Sequence, residues 1–144
     1  MRHVDELAQV CRELDFKFQI LSSEEARIYI EGIFNKFNPQ RRSGHLAIGR
    51  ESLSIPIEKY EFSYSYVLKN EPGFLFFDQE NHNKNQVFVL EDGRQVCAVL
   101  ESSYGMEYFL SNEAGDYLIA VNWYVIECAG VAKKWMLKLM KGSE

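Results

Sequence analysis

The spacing of apolar positions along this chain shifts from helical to alternating and back, and each shift marks an element. Over Met1 to Asp15, Val4, Leu7, Cys11 and Leu14 recur at intervals of three and four between acids and arginines, which predicts an amphipathic helix. Phe16, Phe18 and Ile20 then alternate with Lys17 and Gln19 in an extended or turning bridge. Ser22 followed by Glu25 has the spacing of a capping box, so a second helix starts there. Its stripe is Ala26, Tyr29, Ile30, Ile33, Phe34 and Phe37, and Asn38-Pro39 ends it because proline biases the preceding residue away from helical angles.

Gln40 to Ser54 is the least patterned part and reads as a loop with room for one short element. From Ile55 the period is two. Ile55, Ile57, Tyr60, Phe62, Tyr64 and Tyr66 predict a half-buried strand bearing a row of four aromatics, turned to the core or, at a sheet edge, to a partner. Phe74 to Asp78 and Gln86 to Leu90 read as strands joined by the polar loop Gln79 to Asn85. Arg94 to Ser103 fits either period. Its Ala, Leu, Gln and Glu content and the stop at Gly105 favour a helix.

The densest apolar patterning lies between Met106 and Cys128, where two β-type runs flank the turn formers Glu113 to Asp116. Tyr117 to Tyr124 is almost continuously apolar, which predicts a strand covered on both faces at the middle of the sheet. Val131, Ala132, Trp135, Met136, Leu139 and Met140 make the stripe of a terminal helix whose lysines lie elsewhere on the cylinder. The order of elements predicts one α+β domain over residues 1–144. It has an antiparallel sheet of about five strands, helices packed mainly on one face, an N-terminal helical pair and a C-terminal helix.

Composition narrows the function. At 144 residues and 47% hydrophobic, the chain suits one core. Three cysteines, far apart, fit neither a disulfide framework nor a clustered metal site, and predict buried thiols in a reducing cytoplasm. No apolar run approaches the ~20 residues of a membrane span, and no apolar stretch follows the N-terminus as in a secretory signal. The expectation is a soluble, cytoplasmic protein without membrane contacts.

The net charge of −5 hides an asymmetry: residues 1–130 carry twenty acids against twelve bases, and residues 131–144 four lysines against one glutamate. An acidic body argues against nucleic-acid binding and suits a basic protein partner. The loop bearing Arg41, Arg42, His45 and Arg50 lacks the interleaved aromatics of a nucleic-acid surface.

His3, His45 and His82 are isolated from one another. Asp78-x-Glu80-x-His82 puts three donors on one side of an extended chain, but such loops are usually solvated, and neither a metal nor a cofactor is expected. Cys97 and Cys128 sit in apolar runs, which favours inert packing over thiolate chemistry. With no nucleophile elbow, zinc-protease motif or phosphate loop, no catalytic residues are assigned and no enzyme is expected.

The segments Phe74 to Leu90, Val96 to Tyr104, Glu107 to Ser111, Tyr117 to Trp123 and Gly130 resemble, in their order of apolar strands, small bacterial immunity proteins of polymorphic-toxin and contact-dependent growth-inhibition systems. That resemblance implies a protein-binding inhibitor that occludes the active site of a cognate toxin domain. A basic nuclease would suit the acidic, ring-rich surface. The candidate partner-binding residues are Glu58, Tyr60, Glu61, Tyr64, Asp116, Trp123 and Tyr124. An adaptor domain without inhibitory activity, or a small metal-dependent enzyme, are the alternatives.

Overall fold

Ser22 and Glu25 complete the capping box: the serine hydroxyl accepts from the Glu25 N–H at 3.2 Å, and the glutamate carboxylate accepts from the Ser22 N–H at 3.0 Å. Two free amides at the start of a helix are thereby satisfied. In the computed structural model, which describes residues 1–142, this helix is α2 (Ser23–Phe37). It follows α1 (His3–Leu14) and a three-residue strand, β1 (Phe18–Ile20).

The other strands are β2 (Leu53–Pro56), β3 (Gly73–Phe76), β4 (Val87–Leu90), β5 (Tyr108–Ser111), β6 (Tyr117–Val121) and β7 (Val125–Gly130). Short helices α3 (Ile57–Tyr60) and α4 (Val96–Glu101) lie between them, and α5 (Ala132–Gly142) follows. All seven strands join one antiparallel sheet in the order β1-β4-β3-β5-β6-β7-β2.

Alternation along the strands divides the core in two. Leu75, Phe88, Leu110, Ile119, Val121, Ile126 and Cys128 face α1, α4 and α5, while Phe74, Phe76, Val87, Val89, Phe109, Leu118 and Ala120 face α2. The second face is closed by the stretch 40–49, which folds back as a narrow loop with an isolated bridge between Arg41 and Ala47 and buries Leu46 and Ile48.

Several expectations are corrected. The sheet has seven strands rather than about five, because the bridge at Phe16 to Ile20 pairs with β4 and because Val125 to Gly130 forms a separate strand. The run Tyr117 to Tyr124 is not one strand; it ends at Val121 and turns. Both strands of the predicted hairpin are interior, with β5 rather than β6 at the middle. The two expected N-terminal helices are present as α1 and α2. They lie on opposite faces, since the intervening β1 takes an edge of the sheet.

The aromatic stretch after Ile55 is the largest departure. Strand β2 stops at Pro56, whose ring fixes φ and removes a donor, and the chain turns into α3 and then a 3₁₀ segment over Tyr64–Val67. Ile57, Tyr60 and Tyr64 are spaced by three and four as well as lying in the alternation, and the helical spacing prevails. The three are buried while Phe62 and Tyr66 are exposed.

Candidate functional site

The β6–β7 turn carries two aromatic side chains where a tight hairpin ordinarily carries Asn-Gly or Gly-rich pairs. Val121 pairs with Ile126 and the Asn122 N–H donates to the Val125 carbonyl at 3.2 Å, which leaves Trp123 and Tyr124 at the tip of the turn, and neither has a positive φ. Asn122 compensates for this geometry. Its side-chain oxygen accepts from the Tyr124 N–H at 2.8 Å and from the Val125 N–H at 2.9 Å, and its amide donates to the Leu46 carbonyl at 3.0 Å. A buried asparagine thus holds the turn from below while both rings point outward, 52% exposed for Trp123 and 70% for Tyr124.

Each ring rests on a built support. The Trp123 indole covers Gly105, lying 3.7 Å from where a β-carbon would stand; this glycine has φ +93°, a conformation its lack of a side chain permits. Tyr104, immediately before it, is 98% exposed, and its N–H donates to the Glu6 carboxylate of α1 at 2.6 Å. Tyr124 meets the His45 ring edge to face at 5.1 Å, and His45 Nδ1 lies 3.2 Å from Glu107 Oε2. The β6–β7 turn and the connection from α4 to β5 therefore present Tyr104, Trp123 and Tyr124 together at one end of the sheet. These three exposed rings make the candidate interaction surface.

The carboxylates around this end hold the loop over the α2 face. Gly44 N–H donates to Asp78 Oδ2 at 2.9 Å, Leu46 N–H to Glu107 Oε1 at 3.0 Å and Ile48 N–H to Glu127 Oε1 at 2.7 Å. Amides covered by a loop need acceptors, and charged acceptors give the shorter, stronger bonds. The basic stretch is thus a structural cover. Arg42 stacks on Phe34 at 4.5 Å and donates to Asn38, while Arg41 packs over Gly44.

The seven candidate residues do not converge. Trp123 and Tyr124 lie at the end just described, whereas Asp116 belongs to the β5–β6 turn at the opposite end. There Asp116 accepts from the Asn112 amide at 3.3 Å, and Asn112 also donates to Glu71 at 2.9 Å, beside a groove of about 440 Å³ that includes Lys69, Lys134 and Trp135. Glu58 is exposed on α3 and Glu61 half-buried just beyond it. Tyr60 and Tyr64 are corrected to core residues, 4% and 0% exposed, with no ring surface left for a partner. The sequence pattern also passed over Tyr104, His45 and Glu107; the signal available for Tyr104 was an aromatic beside a glycine at a helix stop.

Asp78, Glu80 and His82 do not assemble a metal site. Asp78 accepts from Gly44 and Glu80 backbone, Glu80 from the Ser43 hydroxyl, and His82 lies exposed in a 3₁₀ turn. Among the described residues no three His, Cys, Asp or Glu side chains are placed to hold a metal ion. Burial raises the thiols, pushing Cys11 up to about 11 and Cys128 to about 12, with Cys97 raised as well, so all three stay protonated at neutral pH. Among the described residues no helix is long and apolar enough to cross a membrane. No protein family, curated protein or solved structure matches this chain.

Proposed function

We propose that this chain is a protein-binding inhibitor of the immunity type, acting in the cytoplasm, and that it docks on its cognate toxin domain through Tyr104, Trp123 and Tyr124. The observation that supports this reading is the β6–β7 turn: two aromatics occupy hairpin positions that local geometry disfavours, and a buried asparagine stabilises the result. Rings of this kind supply contact area at small entropic cost and dominate binding energetics when they enter a partner's pocket. The acidic body complements a basic partner such as a nuclease, which speeds encounter. The three buried thiols fit a reducing compartment.

The test is titration calorimetry of the protein against the toxin encoded by the adjacent gene, with an assay of toxin activity alongside. Nanomolar binding is expected, together with loss of toxin activity. Trp123→Ala combined with Tyr124→Ala should raise Kd by at least about 30-fold, corresponding to a hot-spot contribution of about 2 kcal/mol. Absence of binding at micromolar concentration overturns the reading. Binding that leaves the toxin active replaces the inhibitor with an adaptor.

A further inference from the structure

The sheet ends at β1 on one side and at β2 on the other, and the two edges are not alike. Leu21 N–H donates to the Val87 carbonyl at 3.1 Å and Glu91 N–H to the Lys17 carbonyl at 3.0 Å, so the backbone groups of Lys17, Gln19 and Leu21 face β4. Those of Phe18 and Ile20 point away from the sheet and have no hydrogen-bond partner among the described residues. On β2 the same phasing, set by the Asn122 N–H bond to the Val125 carbonyl, turns Ser54 and Pro56 outward, and Pro56 has no N–H to offer. An unguarded edge is a template for another strand. We infer that β1 pairs antiparallel with β1 of a second copy of this chain, on a two-fold axis through Gln19, and joins the two sheets into one. This goes beyond the proposed function and does not depend on it.

The flanks of β1 select the register. The next outward amides on either side are already engaged: Phe16 N–H donates to the Cys11 carbonyl at 2.9 Å and Ser22 N–H to the Glu25 carboxylate at 3.0 Å. Pairing centred on Phe18 would call on Phe16, and pairing centred on Ile20 would call on Ser22. A shift by one residue would set outward groups against inward ones. With Gln19 opposite Gln19, each Phe18 exchanges both bonds with Ile20 of the other copy, and every open group on the edge is satisfied.

The side chains fit the same register. Phe18 and Ile20 lie on the α1 face, where Phe18 stacks on Phe88 at 5.2 Å and Ile20 is 40% exposed. A two-fold axis perpendicular to the sheet keeps both α1 faces on one side, so the exposed Ile20 packs beside Phe18 of the second copy, and the pair occurs twice. On the α2 face, Lys17 is exposed and has no ion pair among the described residues. It comes opposite Leu21 of the second copy, next to the first turn of that copy's α2, which carries Glu24 and Glu25. Lysine thus meets acid at both ends of the pairing, a complementarity that the chain's own β1 supplies.

The test uses the full chain. Sedimentation equilibrium from about 10 μM to about 1 mM should show monomer and dimer in exchange, with weak association because the shared edge is short. Ile20→Pro removes an outward donor and spares the bonds to β4, so it should fold and lower the association constant at least about tenfold. Gln19→Cys places two thiols in a directly opposed, non-hydrogen-bonded pair with Cα atoms about 4.5 Å apart, and should give a disulfide-linked dimer under mild oxidation. Lys17→Cys, opposite Leu21 of the second copy, should not, and the native cysteines are buried. A chain that stays monomeric at millimolar concentration, a folded Ile20→Pro that dimerises as well as the parent, or Lys17→Cys cross-linking as readily as Gln19→Cys would each overturn the inference. Should Ile20→Pro not fold, the contrast between the two cysteine variants decides.

Discussion

The hydroxyls of Tyr64 and Tyr108 meet at 2.6 Å in the core, where neither ring has appreciable exposure. Tyr64 comes from the 3₁₀ segment and Tyr108 from the first residue of β5, so the bond ties the aromatic stretch after β2 to the middle of the sheet. Burial raises both phenols well above their ordinary range, so each remains protonated and each serves as the other's partner.

Removing one hydroxyl strands the other. Tyr64→Phe should cost about 1–3 kcal/mol, the penalty for an unsatisfied buried polar group. The double change Tyr64→Phe with Tyr108→Phe should cost clearly less than the sum of the single changes. Urea unfolding of the four proteins gives the coupling directly, and additive losses would mean that the hydroxyls do not depend on one another.

Two glycines give opposite expectations. Gly130 has φ +74°, and a β-carbon there would overlap the Asp116 carbonyl oxygen and stand 2.9 Å from Tyr117 Cα. Backbone cannot move aside as a flexible side chain does, so Gly130→Ala should lose at least about 2 kcal/mol. Gly32 sits in α2 with nothing within 4 Å of the same position. Gly32→Ala should therefore gain about 0.5–1 kcal/mol through helix propensity. Thermal unfolding of the two variants should move in opposite directions.

Much of the fold was legible wherever pattern and punctuation agreed. The capping box at Ser22, the stripe of α1, the short runs at β3 and β4 and the helix at Val96 to Glu101 all combine the right period with a recognisable boundary. The sequence misled where the two parted. Residues 117–130 contain a turn with neither glycine nor proline, so β6 and the start of β7 merge into one apolar run. Tyr60 and Tyr64 satisfy both periods, and only the break at Pro56 decides between them.

The candidate surface was half visible. Trp123 and Tyr124 stood out as aromatics, but Tyr104 joins them through strand pairing of β5 with β6, a long-range relation that no local pattern carries.

His3 gives the fold a pH dependence of defined sign. The ring is half-buried with its edge to Phe77 at 5.0 Å, and burial, the largest cause, lowers its pKa below the ordinary value. His82 and the amino terminus push in the same direction, while Glu6 and Asp78 oppose them. The unfolded chain therefore takes up the proton more readily than the fold. The stabilisation is fully present above about pH 6.5 and falls as pH drops through the unfolded value toward the folded one. Glu24, Glu25 and Asp92, lowered by Arg27, by the Ser22 backbone and by Arg94 respectively, lose their contributions only in the more acidic carboxylate range. Urea midpoints at pH 7.5 and 5.5 should therefore differ more for the parent than for His3→Gln; an equal difference in both would remove His3 from the account.

The β6–β7 turn offers the sharpest separation of stability from function. Type I′ hairpin turns match the twist of the flanking strands and favour Asn-Gly, whereas Trp123 and Tyr124 hold negative φ values and rely on Asn122 for the two amide bonds of the turn. Replacing Trp123→Asn with Tyr124→Gly should leave the unfolding free energy unchanged or raise it by up to about 1 kcal/mol, since it exchanges an unfavourable turn for a favoured one. Under the proposed function, the same protein should bind the toxin at least about 30-fold more weakly, because both proposed anchors are gone. A variant that binds normally would show that the rings are not the anchors, and one that unfolds readily would show that they support the sheet. Stable folding with lost binding is the combination expected of residues retained for a partner.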